Sequence, residues 1–261
     1  ENVLRCDAGG IGLFRSEFLY MENGTKLPTE EQQFQVYKLA AESMGTKKVV
    51  IRTADLGGDK LAECLDLGED DNPAIGYRGI RVSLDKEEIF KTQLRAILRA
   101  SAFGNISIML PMITSIEEVT MAKEMIGRAK KELRNEKTAF NEEIPIGVMI
   151  ETPAAVMISG ELAREVDFLS IGTNDLSQFT LGMDRQNSKL ERYYDPHHPA
   201  LLKMIRIITN NVHLEEKHIS ICGDLAADLE MTEYFIQIGI DELSVAPNQI
   251  LSLRKKIREI Q

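Results

Sequence analysis

Long apolar runs are missing from this sequence. Charge, glycine or proline interrupts each patterned stretch within about ten residues, and a membrane helix needs roughly 18 to 20 apolar residues in succession. Cysteine is scarce: Cys6, Cys64 and Cys222 are odd in number, far apart and without CxxC spacing. That excludes a disulfide framework and a zinc site, and fits a reducing cytoplasm. No GxGxxG turn is present, so nothing announces a dinucleotide fold. Internal repeats, low-complexity tracts and linkers are also missing, which reads as one domain over residues 1–261. The chain starts at Glu1 rather than at Met and lacks the basic and apolar regions of a signal peptide. It is expected to be a soluble piece of a longer protein.

What is present suits a folded α/β protein. The 261 residues are 43% hydrophobic, ample for a buried core. They carry 41 acids against 31 Lys plus Arg, a formal net charge of −10. An acidic balance argues against an extended nucleic-acid surface, yet a local group of cations can still hold a small anion. Seven short β-branched or apolar runs alternate with segments of helical period. The runs are 11–15, 49–53, 106–112, 146–151, 168–172, 219–223 and 242–246. Helices are expected over 29–44, 86–102, 115–136, 154–165, 200–215 and 228–238. Pro28-Thr29-Glu30-Glu31, Ser115-Ile116-Glu117-Glu118 and Pro153-Ala154-Ala155 mark three of the starts. Such alternation implies parallel strands with helical crossovers, and a closed (β/α)8 barrel typically takes about 250 residues. The expected fold is a TIM-type (β/α)8 barrel with its first strand missing from this chain.

Active sites of such barrels gather where the strands end. Here the strand ends are charged: Arg15-Ser16-Glu17, then Arg52 through Lys60, then Glu151, Asn174-Asp175 and Cys222-Gly223-Asp224. Arg78 and Arg81, expected on a helix face, and Arg185 can reach the same end. Arg15, Arg52, Lys60, Arg78 and Arg185 form a cationic set, and guanidinium forks suit phosphate and carboxylate oxygens. Gly57-Gly58 lets backbone approach an anion and delivers Lys60. Glu151 and Asp175 are two hard oxygen ligands of the kind magnesium takes when substrate oxygens complete its shell. The alternative is that these acids form structural ion pairs with Arg15 or Arg52. Met109, Met112 and Met149 read as core filler. His197 and His198 read as loop residues, and His213 and His218 have no partner motif.

The motifs resemble a known family across essentially the full length. Gly10 to Met21, Ile51 to Lys60, Gly76-Tyr77-Arg78, Glu151-Thr152-Pro153-Ala154-Ala155, Ser170 to Leu176, Met183-Asp184-Arg185, His198-Pro199-Ala200 and Cys222-Gly223 all match in order. The chain resembles the C-terminal, phosphoenolpyruvate (PEP)-binding domain of enzyme I of the bacterial sugar phosphotransferase system. Pyruvate phosphate dikinase and PEP synthase share the barrel and many of these residues.

The resemblance implies that Arg15, Arg52, Lys60, Arg78 and Arg185 hold PEP, and that Asn174 bonds its phosphate. It implies that Glu151 and Asp175 ligate Mg²⁺ and that Cys222 protonates the enolate to give pyruvate. Arg185, Asn174 and Cys222 are the expected catalytic residues. Family members accept the phosphoryl group on a histidine of a separate N-terminal domain and pass it to the carrier HPr. None of the four histidines here has that setting. A homodimer in the cytoplasm is implied, with no membrane or nucleic-acid partner. The family carries Glu where Asp224 stands and Gly where Ala227 stands, changes that bear on the proton-delivery loop. The competing readings are a dikinase or synthase domain, a non-catalytic PEP-sensing module, and a lyase or aldolase using the same enolate site.

Overall fold

The computed structural model describes residues 2–21, 26–57 and 74–260. Seven strands lie among them: β1 (Ile11–Arg15), β2 (Val49–Arg52), β3 (Ile106–Leu110), β4 (Ile146–Ile150), β5 (Phe168–Gly172), β6 (His218–Cys222) and β7 (Glu242–Leu243). They follow one another in the sheet in chain order. Val49 pairs with Ile106, Gly147 with Phe168, Phe168 with His218 and Ser220 with Glu242, all in parallel register. Sequential parallel strands joined through helices are the TIM-type (β/α) arrangement; a doubly wound sheet reverses its order at a switch point. Each of the seven expected runs contains a strand. β2, β3 and β5 are buried at every position, as strands covered on both faces must be.

The helices begin with α1 (Asn2–Arg5), α2 (Phe18–Met21), α3 (Glu30–Met44), α4 (Ile80–Asp85), α5 (Glu87–Ala100) and α6 (Ile116–Asn135). They continue with α7 (Pro153–Met157), α8 (Ser159–Glu165), α9 (Thr173–Leu181), α10 (Pro199–Leu214), α11 (Thr232–Gln237) and α12 (Ile250–Ile260). The chain divides into two compact units. The first is Leu13–Met112 with Ile116–Ile146; the second is Glu1–Gly12, Ile113–Ser115 and Gly147–Gln261.

In the first unit α3 starts on a capping box. The Thr29 hydroxyl accepts from the Gln32 N–H at 3.2 Å, and the Gln32 side chain accepts from the Thr29 N–H at 2.9 Å. Its inward stripe of Gln33, Phe34, Tyr37, Ala41 and Met44 follows the helical period. An ionic lattice then ties α3, α5 and α6 together. Arg95 reaches Glu30 at 2.7 Å, Glu132 at 3.1 Å and Glu136 at 2.7 Å, while Arg99 pairs with Glu30 and Glu31 and lies 4.0 Å over the Phe34 ring. The Arg95 side chain is only 13% exposed, so water screens these bonds poorly. Arg95→Ala is expected to cost about 1.5 to 3 kcal/mol, the range for hydrogen bonds to charged groups, read from urea unfolding. A loss below about 0.5 kcal/mol would class the lattice with ordinary surface ion pairs.

In the second unit the single helix expected over 154–165 is two, α7 and α8, broken at Ile158. The Ser159 hydroxyl donates to the Val156 carbonyl at 2.8 Å, and Asn211 of α10 donates to that hydroxyl at 2.9 Å. A side-chain bond of this kind competes with the helix ladder. Three further differences concern helices. α2 and α12 fall where no helix was expected, and of the segment 228–238 only α11 is helical. His198 caps α10 by accepting from the Ala200 N–H at 3.2 Å, with Pro199 in the first turn. Among the described residues no helix is long and apolar enough to cross a membrane.

Candidate active site

The first unit presents arginines paired to acids. β2 ends at Arg52, 8% exposed, whose guanidinium meets Glu17 at 2.9 Å and lies 3.8 Å from Asp55. Asp55 in turn takes a fork from Arg78, Nη2 at 2.6 Å and Nε at 3.2 Å. Glu17 also accepts from the Asp55 backbone N–H at 2.8 Å. Two guanidiniums and two carboxylates thus hold one another in fixed orientation, with little rotamer freedom left to lose when an anion binds. Arg15 ends β1 exposed to solvent and forms no ion pair among the described residues. Arg78 stands in the loop before α4, not on a helix face as the sequence suggested; Arg81 lies within α4 and reaches the Gly76 carbonyl at 2.9 Å. Lys60, with Gly58 and Asp59, falls outside the described residues.

The second unit presents acids, an amide and a thiol. Glu151, 1% exposed, follows β4 directly. A Cβ on Gly172, the last residue of β5, would stand 2.8 Å from its Oε2, so glycine there leaves room for the carboxylate. Asp175 sits half-buried in the first turn of α9, where partial positive charge favours an acid. β4 and β5 are paired neighbours, so both carboxylates belong to adjacent strand ends. Two hard oxygen donors of this kind fit a magnesium ion whose remaining positions are taken by ligand oxygens. Among the described residues no group of three or more His, Cys, Asp or Glu could hold a metal.

Asn174 and Cys222 are joined by the loop after β6. The Asn174 Oδ1 accepts from the Asp224 N–H at 2.8 Å, and the Thr173 hydroxyl donates to the Cys222 carbonyl at 2.7 Å. Because the Asp224 N–H can only donate, the Asn174 amide orientation is settled and its Nδ2 remains a donor. Asn174 lines a cavity of about 260 Å³ together with Ser177, Tyr194, Asp224 and Asp228. Gly223 makes this stitch possible. Its φ is +91°, and a Cβ would stand 2.4 Å from the Thr173 hydroxyl and 2.5 Å from Asn174 Oδ1. Gly223→Ala is therefore expected to displace Asn174, lowering anion affinity at least about tenfold with a smaller loss of stability, measured by titration calorimetry and thermal unfolding in parallel. Equal affinity in the variant would show that Asn174 does not touch the ligand.

Cys222 closes β6, 3% exposed, and its thiol donates to the Ile171 carbonyl at 3.4 Å, with the Ser170 hydroxyl 3.9 Å from the sulfur. Asp224 points to solvent from a 3-10 turn, Asp224–Ala227. Arg185 is exposed in the loop after α9 and lines a second cavity of about 310 Å³. His197 bonds Asp228 at 2.5 Å, and His213 meets Asp241 at 3.2 Å. Burial works against ionised Asp228, but bonds from His197 and the Glu230 N–H hold its carboxyl below the usual range.

The sequence places Ser16, Glu17 and Asp55 inside the family motifs without naming their partners, and it does not single out Gln93. Gln93, a lone amide among Phe90, Leu94 and Ile97 on the apolar stripe of α5, was the signal available.

The whole chain, residues 1–261, matches the family of the PEP-utilising enzyme, PEP-binding domain. It is 46% identical over 260 residues to the phosphoenolpyruvate-protein phosphotransferase of Haemophilus influenzae, covering 100% of this chain and 45% of that protein. The protein of the same name from Staphylococcus carnosus is 43% identical over 258 residues, covering 99% and 45%. The chain thus spans less than half the length of the curated relatives it matches. Among solved structures, a citrate lyase of Burkholderia xenovorans aligns with a TM-score of 0.54 at 18% identity, covering 94% of this chain and 75% of that one. Haloferax volcanii malate synthase aligns at 0.52 with 14% identity, covering 87% and 60%. These two likenesses support the barrel fold alone. With a family match over every residue, the chain belongs to the PEP-binding domain family of PEP-utilising enzymes.

Proposed function

We propose that this chain is the PEP-binding, pyruvate-forming part of a phosphoenolpyruvate-protein phosphotransferase. The observation that carries this reading is the end-to-end match to relatives of that name. The chemistry at the strand ends agrees with it. Arg15, Arg52, Lys60 and Arg78 hold the phosphate and carboxylate of PEP, with Arg185 and the Asn174 Nδ2 donating to phosphate oxygens. Prearranged donors of this kind stabilise charge on a phosphoryl group in transfer without reorganising. Glu151 and Asp175 would hold Mg²⁺, which would supply positive charge to stabilise the transferring group.

In the transfer the bond between phosphorus and the enol oxygen breaks, and the phosphoryl group passes to a histidine on a separate N-terminal domain, then to HPr. The enolate left behind takes a proton at its methylene carbon from the Cys222 thiol, giving pyruvate, and solvent returns a proton to the thiolate. The protein works as a homodimer in the cytoplasm, where a buried thiol such as Cys222 stays reduced.

Calorimetric titration with PEP, with and without Mg²⁺, tests the binding half of the reading. Magnesium-dependent binding by the 261-residue chain is the expected result, and failure to bind PEP under both conditions would refute it. Transfer is tested in the full-length protein by PEP-driven phosphorylation of HPr without ATP. A requirement for ATP would point instead to a dikinase or synthase.

A further inference from the structure

Behind the arginine loop lies a polar cluster that the proposed chemistry leaves without a role. Ser16, Tyr20, Gln33, Tyr37 and Gln93 are each no more than 2% exposed and come from α2, α3, α5 and the end of β1. Their hydrogen bonds can be assigned a direction. The Ala54 N–H can only donate, so the Gln93 atom 2.9 Å away is Oε1. Gln93 Nε2 then donates to the Ser16 hydroxyl at 2.9 Å and to the Tyr37 hydroxyl at 3.1 Å. Ser16 passes its own hydrogen to the Arg52 carbonyl at 2.8 Å. Tyr37 and Tyr20 donate to Gln33 Oε1 at 3.1 and 3.4 Å, and Gln33 Nε2 donates to the Pro28 carbonyl at 3.2 Å. Burial raises the pKa of both phenols, so they stay protonated as this direction requires.

The cluster is attached to the site at three points. The Arg52 carbonyl and the Ala54 N–H lie where β2 has ended and ladder bonds run out; Thr53 N–H still finds the Met109 carbonyl at 2.9 Å. Gln93 holds Ala54 directly and Arg52 through Ser16. Ser16 also precedes Glu17, the acid that pairs with Arg52. One buried amide therefore fixes both sides of that ion pair.

We infer that Gln93 is a positioning residue for Arg52, setting through Ser16 and Ala54 the backbone from which the guanidinium reaches an anion. The inference rests on the reading of Arg52 as a PEP ligand. It extends that reading to a residue on the far side of the loop, 77 positions from Ser16 in sequence.

The test titrates PEP into the 261-residue chain and into four variants by calorimetry, with thermal unfolding recorded on each. Gln93→Leu keeps the volume and removes the bonds, and is expected to raise Kd about tenfold. Ser16→Ala cuts only the branch to the Arg52 carbonyl and should raise Kd by less, about fivefold, and the double variant should bind no worse than Gln93→Leu alone, because Gln93 sets the Ser16 hydroxyl. Tyr37→Phe deletes two buried bonds, the one to Gln33 and the one from Gln93, but leaves Gln93 bonded to Ala54 and Ser16. It should unfold about 2 to 4 °C lower while its Kd stays within about twofold of the unaltered chain. Unchanged affinity in Gln93→Leu and in Ser16→Ala would overturn the inference while leaving Arg52 as the ligand. So would an equal loss of affinity in Tyr37→Phe, which would mean general loosening. If Gln93→Leu does not fold, Ser16→Ala against Tyr37→Phe decides. An unaltered chain that does not bind PEP would overturn the role of Arg52 and this inference with it.

Discussion

Arg52→Ala is expected to raise the Kd for PEP by about two orders of magnitude, the consequence of losing a nearly buried charge that donates to an anion. Arg52 is 8% exposed and already aligned by Glu17 and by its neighbour Asp55, so it meets a ligand with its side-chain entropy largely lost beforehand. Arg52→Lys should fall between, about tenfold weaker than the unaltered chain, because an ammonium keeps the charge but not the planar fork. Calorimetry reads both values directly. The variant's fold is not expected to suffer in proportion, since Glu17 still accepts from the Asp55 N–H and Asp55 still holds Arg78. An Arg52→Ala chain that binds PEP as tightly as the unaltered one would make these arginines structural and remove the anion site from β2.

The second large effect separates binding from chemistry. Cys222→Ser should leave the Kd for PEP within about twofold but slow pyruvate formation in the full-length protein by about 10²- to 10⁴-fold, the usual worth of a general acid. The substitution is nearly isosteric at a site 3% exposed, and the hydroxyl can still donate to the Ile171 carbonyl. What it loses is the polarisable, acidic S–H that can deliver a proton to carbon. A second readout uses the 261-residue chain itself. Run backwards, the same step removes a methyl proton from pyruvate, so exchange of pyruvate methyl hydrogens in deuterium oxide should be seen by NMR in the unaltered chain and lost in Cys222→Ser. Full pyruvate formation by the variant would move the acid elsewhere. PEP binding with no turnover in the intact protein would leave a sensing module.

Much of this was legible in the sequence, for definable reasons. Strand positions could be read because a strand buried on both faces is mostly apolar, as in Val49-Val50-Ile51 and Ile108-Met109-Leu110. The start of α3 was legible because Thr29 and Gln32 satisfy their own orphan donors within four residues. The positions of Arg15, Arg52, Glu151 and Cys222 at strand ends could be read because each closes an apolar run, and those of Asn174 and Asp175 because they follow the run 168–172 directly. The break at Ile158 was not legible, since Asn211, the partner of the Ser159 hydroxyl beside it, lies on another helix 52 residues away. Arg78 was misplaced on a helix because the chain before α4 offers no periodicity to contradict it.

By itself, then, the sequence determined the alternation of strand and helix, the order of strands that follows from it, and which side chains stand where strands end. All of these depend on neighbours a few residues apart. Only the tertiary structure decided who pairs with whom: Arg52 with Glu17, Asp55 with Arg78, Asn174 with the Asp224 N–H, Gln93 with Ser16 and Ala54. A hydrogen bond is directional and reaches about 3 Å, so its partner is set by the packing of distant segments, and nothing in local composition encodes that distance.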